Sequence, residues 1–170
     1  MKDRDSKSDT PRPAPDADGK LVPRLEDIGL ENFAPYLMNR IIGRYNASLR
    51  DEMTTLGLTT TQMRALAVLS VTDGILIREL AVYAVVEQST LSRAIDTLHR
   101  AGHVRREVDA ADSRATRIFL TDTGRDAYDR LWPHMSAFYE QMFTGISRKD
   151  RAAFVGTLQS MLANIRKHDF

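Results

Sequence analysis

Cysteine is absent from this 170-residue chain, which excludes disulfides, thiolate zinc sites and thiol-based oxidant sensing within it. Net charge is also lacking: 24 Lys and Arg against 23 Asp and Glu leave +1. A chain so balanced does not coat nucleic acid indiscriminately, so any DNA binding must come from locally concentrated basic residues. No apolar run approaches the roughly 18 residues of a membrane span. The charged start Met1-Lys2-Asp3-Arg4-Asp5 leads into no apolar stretch and does not read as a secretory signal. A cytoplasmic protein without membrane contact is the resulting expectation. Glycine-rich phosphate loops and GxSxG elbows are missing too. Of His99, His103, His134 and His168, His99 and His103 form an i,i+4 pair only if a helix continues through Gly102, which is not expected, so neither an enzyme nor a bound metal or other cofactor is expected.

What is present begins at about residue 25. Before it, residues 1–24 hold four of the six prolines (Pro11, Pro13, Pro15, Pro23) and closely mixed charges, the composition of a disordered arm. Phe33, Leu37, Ile41, Tyr45, Leu49 and Met53 then recur every four residues, with Ile28, Leu30, Tyr36, Met38 and Ile42 beside them. That spacing predicts one long amphipathic helix, with Pro35 in its first turns or marking an early break. So broad an apolar stripe exceeds what one small domain covers, and part of it is expected to face another subunit. Gly57 closes the helix, and Thr59-Thr60-Thr61-Gln62 offers caps for a second one running to about Ser70.

Thr72-Asp73-Gly74 reads as a turn, Ile75 to Ala84 as a short helix after a β-bridge near Ile75, and Glu87 to Ala101 as a helix stopped by Gly102. Val104–Val108 and Thr116–Leu120 have strand composition around a loop, making a hairpin. Thr121-Asp122-Thr123-Gly124 caps a further helix, in which Pro133 should introduce a kink. Ser147 starts the last one, with Phe154, Leu158, Met161, Leu162 and Ile165 on one side. The fold class is therefore mainly α with a small β-hairpin.

Two stretches carry chemistry. On the helix from Glu87, Leu91, Ile95 and Leu98 lie within about 40° of one another at 100° per residue and form a buried seam. Ser89, Arg93, Asp96 and Arg100 point away from it, with Gln88 and Ser92 on a flank. Such a helix can insert its polar face into a major groove, where hydroxyls and Gln reach base edges and Arg reaches guanine or phosphate. A solvated surface explains the same face, and Asp96 opposes DNA unless it pairs with Arg93 or Arg100. In the hairpin, Arg105, Arg106, Arg114 and Arg117 fall within thirteen residues. Arginine is suited to a narrow minor groove, where the potential is most negative. Asp109 and Asp112 are expected to accept hydrogen bonds from loop backbone or a nearby Arg, so that Arg114 points outward. Arg105 or Arg106 can equally pair with Glu107 or Asp109.

Glu79-Leu80-Ala81, the run Gln88-Ser89-Thr90-Leu91-Ser92-Arg93-Ala94-Ile95-Asp96-Thr97-Leu98 and Gly102-His103-Val104-Arg105-Arg106 together resemble the core of MarR regulators. Asp109-Ala110-Ala111-Asp112-Ser113-Arg114 resembles that family's wing, and Leu120-Thr121-Asp122-Thr123-Gly124 its junction into the dimerisation helices. The resemblance implies a winged helix-turn-helix at about 57–121 between N- and C-terminal dimerisation helices at about 25–55 and 122–168, the whole domain spanning 25–170. It implies a homodimer on a pseudo-palindromic operator in double-stranded DNA, acting as a repressor or activator. A small aromatic or anionic effector can release DNA in such proteins. By position, Ser89, Thr90, Ser92 and Arg93 fall on the recognition helix. Asp112 and Arg114 fall on the wing's loop-bracing acid and minor-groove arginine.

Three departures stand out. Ala111 occupies a place where relatives often carry a further Arg, Val85-Val86 replace a glycine-containing turn, and Tyr83 is unusual. The expected dimer interface is Ile28, Leu30, Phe33, Phe154, Leu158, Leu162 and Ile165. Tyr36, Met38, Arg40, Arg44, Met63 and Trp132 are candidates for an effector pocket, although core or dimer packing explains the aromatics and methionines as well. A reading from another class is a winged-helix dimer used for protein interaction or ligand sequestration. It gains if Arg93, Arg105, Arg114 and Arg117 are all neutralised by neighbouring acids.

Overall fold

The structure, a computed structural model, describes residues 22–166. Most of the expected N-terminal arm and His168 lie outside the described residues. Two compact units divide after Arg44.

The stripe from Phe33 to Met53 is not one helix, which corrects the expectation. It is divided among a short α1 (Leu25–Ile28), a 3-10 turn (Leu30–Asn32), α2 (Ala34–Ser48) and α3 (Arg50–Thr55). Gly29 at φ +75° ends α1, and Phe33 is extended. Pro35 then sits in the first turn of α2, where its missing N–H costs nothing. At the far end of α2 the Ser48 hydroxyl donates to the carbonyl of Tyr45 at 2.8 Å, a local bond that competes with helix continuation. Along this divided stripe, Leu37 and Ile41 are exposed. Leu49 and Met53 are buried with Met63 and Leu131 in a small cluster.

The larger core belongs to the middle of the chain. α4 (Thr60–Val71), β1 (Ile75–Leu76), α5 (Ile77–Tyr83), α6 (Gln88–Arg100), β2 (Val104–Val108) and β3 (Thr116–Leu120) follow in order. Leu66, Leu69, Leu80, Leu91, Ile95, Leu98, Val104 and Ile118 are almost completely buried together. α4 opens with a reciprocal cap: the Gln62 amide N–H donates to Thr59 Oγ1 at 3.3 Å, and Thr59 N–H donates to Gln62 Oε1 at 2.8 Å. That exchange satisfies the buried Gln62 and removes two orphan donors. The strands form an antiparallel sheet in the order β1-β3-β2, with Ile118 opposite both Ile75 and Arg106. The bridge expected near Ile75 is thus a third strand. It holds β3 to the body while only Val104 of β2 is buried.

Gly102, at φ +76°, follows the last turn of α6 as expected. α7 (Asp122–Met142) is capped by Thr121, whose Oγ1 accepts from Gly124 N–H at 3.1 Å and donates to the Gly102 carbonyl at 2.6 Å. A Cβ on Gly124 would fall 2.0 Å from the His103 carbonyl oxygen, so this junction requires glycine. α7 is one continuous helix through Pro133. α8 (Arg148–Ile165) follows, tied back by the Arg151 guanidinium, which donates to both oxygens of Glu140 at 2.9 and 2.7 Å. The same guanidinium lies over the rings of Tyr139 and Phe143, and Glu140 pulls its pKa further up.

Candidate nucleic-acid interface

α6 presents two opposite faces. Leu91, Ile95 and Leu98 are buried as the spacing predicts, while Gln88, Ser89, Thr90, Arg93, Asp96 and Arg100 are exposed. Ser92 is half-buried, and its hydroxyl donates back to the Gln88 carbonyl at 2.9 Å. Arg100 lies along its own helix, donating to the Asp96 carbonyl and Thr97 Oγ1 at 3.3 Å each. The Arg93 side chain has no hydrogen bond or ion pair among the described residues.

Asp96 pairs with neither Arg93 nor Arg100. Its carboxylate takes a charge-assisted bond from Arg106 Nη2 at 2.5 Å, from β2. The sequence held no signal for this bond, because the two residues are brought together by the turn at Gly102 rather than by helical periodicity. The pair neutralises an acid on the outward face of α6 and links that helix to the wing.

The hairpin arginines divide by what holds them. Arg105 is paired with Glu107 and stacked over Phe119, its guanidinium 4.1 Å from the ring centroid. Arg117 was expected to face DNA, but its Nε is bonded to Asp109 and its Nη1 to the Gly74 carbonyl at 2.7 Å. These bonds make Arg117 a brace between the wing and the Thr72-Asp73-Gly74 turn. Asp73 adds to the same seam, its Oδ1 accepting from Leu120 N–H at 2.7 Å.

Asp109 is the buried centre of the loop. Its Oδ1 accepts from the backbone N–H of Ala111 at 2.9 Å and of Asp112 at 3.0 Å. These backbone bonds and then Arg117 hold its carboxyl below the ordinary range, against the opposing effect of desolvation. Asp112 Oδ1 accepts from Arg114 N–H at 3.0 Å. With the backbone tied at this point, the Arg114 side chain is exposed and has no partner among the described residues. The surface therefore carries two uncommitted guanidiniums, one on a helix and one at a braced loop tip, beside four committed ones, those of Arg100, Arg105, Arg106 and Arg117.

A model described as MarR family matches residues 56–115, the stretch that holds α4 to the wing. A crystal structure of a MarR-family transcriptional regulator from Silicibacter pomeroyi is 61% identical. It covers 87% of this chain and 100% of that one, with a TM-score of 0.83. The chain belongs to the MarR family. The HTH-type transcriptional regulator TtmR of Methylorubrum extorquens is 32% identical over 76% of this chain and 64% of its own. The transcriptional activatory protein BadR of Rhodopseudomonas palustris is 31% identical over 66% of this chain and 67% of its own. The chain thus spans just under two thirds of TtmR's length. The fold is the MarR winged helix, and the chain is a transcriptional regulator of that family.

The other expected residues fall into two groups. Leu30, Phe154, Leu162 and Ile165 are exposed, and Ile28, Phe33 and Leu158 half-buried. Phe154 also meets the edge of Phe143 within the chain. Of the effector candidates, Met63 is a core residue packed with Leu49, Met53 and Leu131. Trp132 is half exposed and tilted against Tyr128. Arg40 donates to the Tyr36 hydroxyl at 2.8 Å. Met38 is half-buried, and Arg44 is exposed without a partner among the described residues. No helix among the described residues is long and apolar enough to cross a membrane.

Proposed function

We propose that the protein binds a pseudo-palindromic operator in duplex DNA as a homodimer, with α6 in successive major grooves and the wing tips in the flanking minor grooves. The observation that carries this reading is the pair of uncommitted, exposed guanidiniums of Arg93 and Arg114, beside arginines that are held by partners within the chain. Gln88, Ser89 and Thr90 are exposed at the N-terminal end of α6, the end that reaches base edges in helix-turn-helix proteins. Arg105, Arg106 and Arg117 act as positioning residues that fix the wing relative to the helix.

Homodimerisation is supported by the uncovered apolar side of α8, where Leu162 is 63% and Ile165 75% exposed. In the dimer the two α6 helices sit roughly one DNA turn, about 34 Å, apart when competent to bind. An aromatic or anionic effector that favours another separation lowers affinity by its differential binding energy, typically about 1–3 kcal/mol. Tyr36, Met38, Arg40 and Arg44 in the first unit, and separately Trp132 in the second, are the side chains to test for effector contact. Repression is the simplest action of a dimer seated on its own promoter, although BadR is named as an activator.

The interaction or sequestration reading gains from the pairing of Arg105 with Glu107 and Arg117 with Asp109. It is disfavoured by Arg93 and Arg114, which no acid neutralises among the described residues. Fluorescence anisotropy with the protein's own upstream DNA and a scrambled duplex, across salt concentrations, separates the two. Preference for upstream DNA with log affinity falling steeply against log salt supports the regulator. Equal weak binding to both means that the operator lies elsewhere or that the fold serves the alternative.

A further inference from the structure

We propose that Val85 is a specificity-determining DNA contact, held in a strained backbone conformation that presents its methyl groups to a thymine methyl or the adjoining deoxyribose. The proposal rests on the DNA-binding reading above and starts from a backbone outlier. Among the described residues Val85 is the one non-glycine at positive φ, +53°. For a β-branched side chain this region is a true outlier, and glycine would occupy it without cost.

The surrounding turn imposes that conformation. Ala84 N–H donates to the Leu80 carbonyl at 2.9 Å, Val85 N–H to Val82 at 3.1 Å and Val86 N–H to Ala81 at 3.0 Å. Ala84 is buried, and Val86 packs against the winged core. The backbone between them has to reverse at residue 85 whatever side chain stands there. The valine side chain contributes nothing to that packing, because Val85 is 78% exposed.

Folding thus bears the strain without any gain from the side chain that causes it. Strain of this kind persists where a function uses it. Val85 precedes Gln88, the first residue of α6, by three positions, so the two backbones are at most about 11 Å apart. That places two methyl groups beside the end of the helix that would enter the groove. The thymine methyl is the apolar feature a major groove offers.

The test uses the full chain with three substitutions, read by thermal melting, anisotropy on upstream and scrambled duplexes, and sedimentation. Val85→Gly and Val85→Asn both accept a left-handed backbone but lack the methyls. Each is expected to raise Tm by about 2–4 °C as strain is released. Each is also expected to weaken upstream binding by about five- to tenfold, from two unburied methyls, and to leave the scrambled duplex unaffected. Val85→Ile is expected to keep the parent's Tm and upstream affinity within about twofold, since it retains both the branch and the apolar surface.

The proposal is overturned if Val85→Gly binds upstream DNA as tightly as the parent, or if Val85→Ile loses affinity as Val85→Gly does. An unchanged or lowered Tm for Val85→Gly removes the strain from which it starts. A shift of the monomer–dimer equilibrium in Val85→Gly would seat the valine on a second copy instead. If the parent itself fails to prefer upstream DNA, the operator reading falls and the contact with it, while a Tm gain in Val85→Gly would still record the strain.

Discussion

The winged lobe and the terminal helices use apolar residues in opposite ways. In the lobe, α4, α5, α6 and the three strands cover one another, so that Leu66, Leu91, Ile95 and Ile118 are sealed by their own chain. In α8, Leu162 and Ile165 are among the most exposed apolar side chains of the described residues, and Leu37, Ile41 and Ile42 of α2 are exposed as well. Exposed apolar area contiguous along a helix is costly in a free monomer and marks a surface meant to be covered. The lobe therefore seals its own core, whereas these helices leave apolar side chains uncovered among the described residues.

The largest effect that sharpens this contrast is Leu66→Ala. A large-to-small change at a sealed core position should cost about 2–5 kcal/mol, read as a drop in the denaturant midpoint that is insensitive to protein concentration. Leu162→Asp combined with Ile165→Asp should instead shift sedimentation from dimer to monomer. Its Tm should lose the concentration dependence expected of the parent dimer. An equal, concentration-independent loss in both variants would erase the distinction between the two regions.

Within the lobe, a second pair separates contact from brace. Arg114→Ala should weaken operator binding by about 1–3 kcal/mol while leaving Tm within about 1 °C, since its guanidinium holds nothing in the protein. Arg117→Ala should lower Tm as well, because it frees Asp109 and the Gly74 carbonyl together. The smallest expected effect is in acid. Asp109 has its folded pKa lowered from the ordinary 3.8 by Ala111 N–H first and then by Arg117. Its stabilising contribution is therefore complete above the unfolded value and is lost as pH falls through the folded one. Asp109→Asn should flatten the fall of Tm below about pH 4 relative to the parent, and an identical acid profile would show that the carboxylate's charge is immaterial.

Much of the candidate site was legible because it is written in local spacing. The seam of Leu91, Ile95 and Leu98 follows from 3.6-residue periodicity, and Gly102 and Thr121 from the chemistry of helix ends. Thr59 and Gln62 announce their reciprocal cap three residues apart. The roles of the wing arginines were not legible, since four residues of one type in thirteen positions look alike until their partners are known. Arg117 meets a carbonyl 43 positions away, and Arg106 reaches an acid across a turn. The division of the first stripe was missed because a continuous apolar period does not reveal where Gly29, an extended Phe33 and the Ser48 hydroxyl interrupt the backbone.

The sequence by itself determined the MarR likeness, the helix order, the buried seam of α6 and the arginine-rich hairpin, all of which depend on near neighbours and on the period of the backbone. Only the tertiary structure decided which guanidiniums are occupied, that β1 pins the wing, and that Val85 stands where a glycine would be relaxed. The physical reason is that ion pairs and close approaches are set by distances through space. Residues far apart in sequence compete for the same carboxylate or carbonyl, and the fold alone settles which of them reaches it.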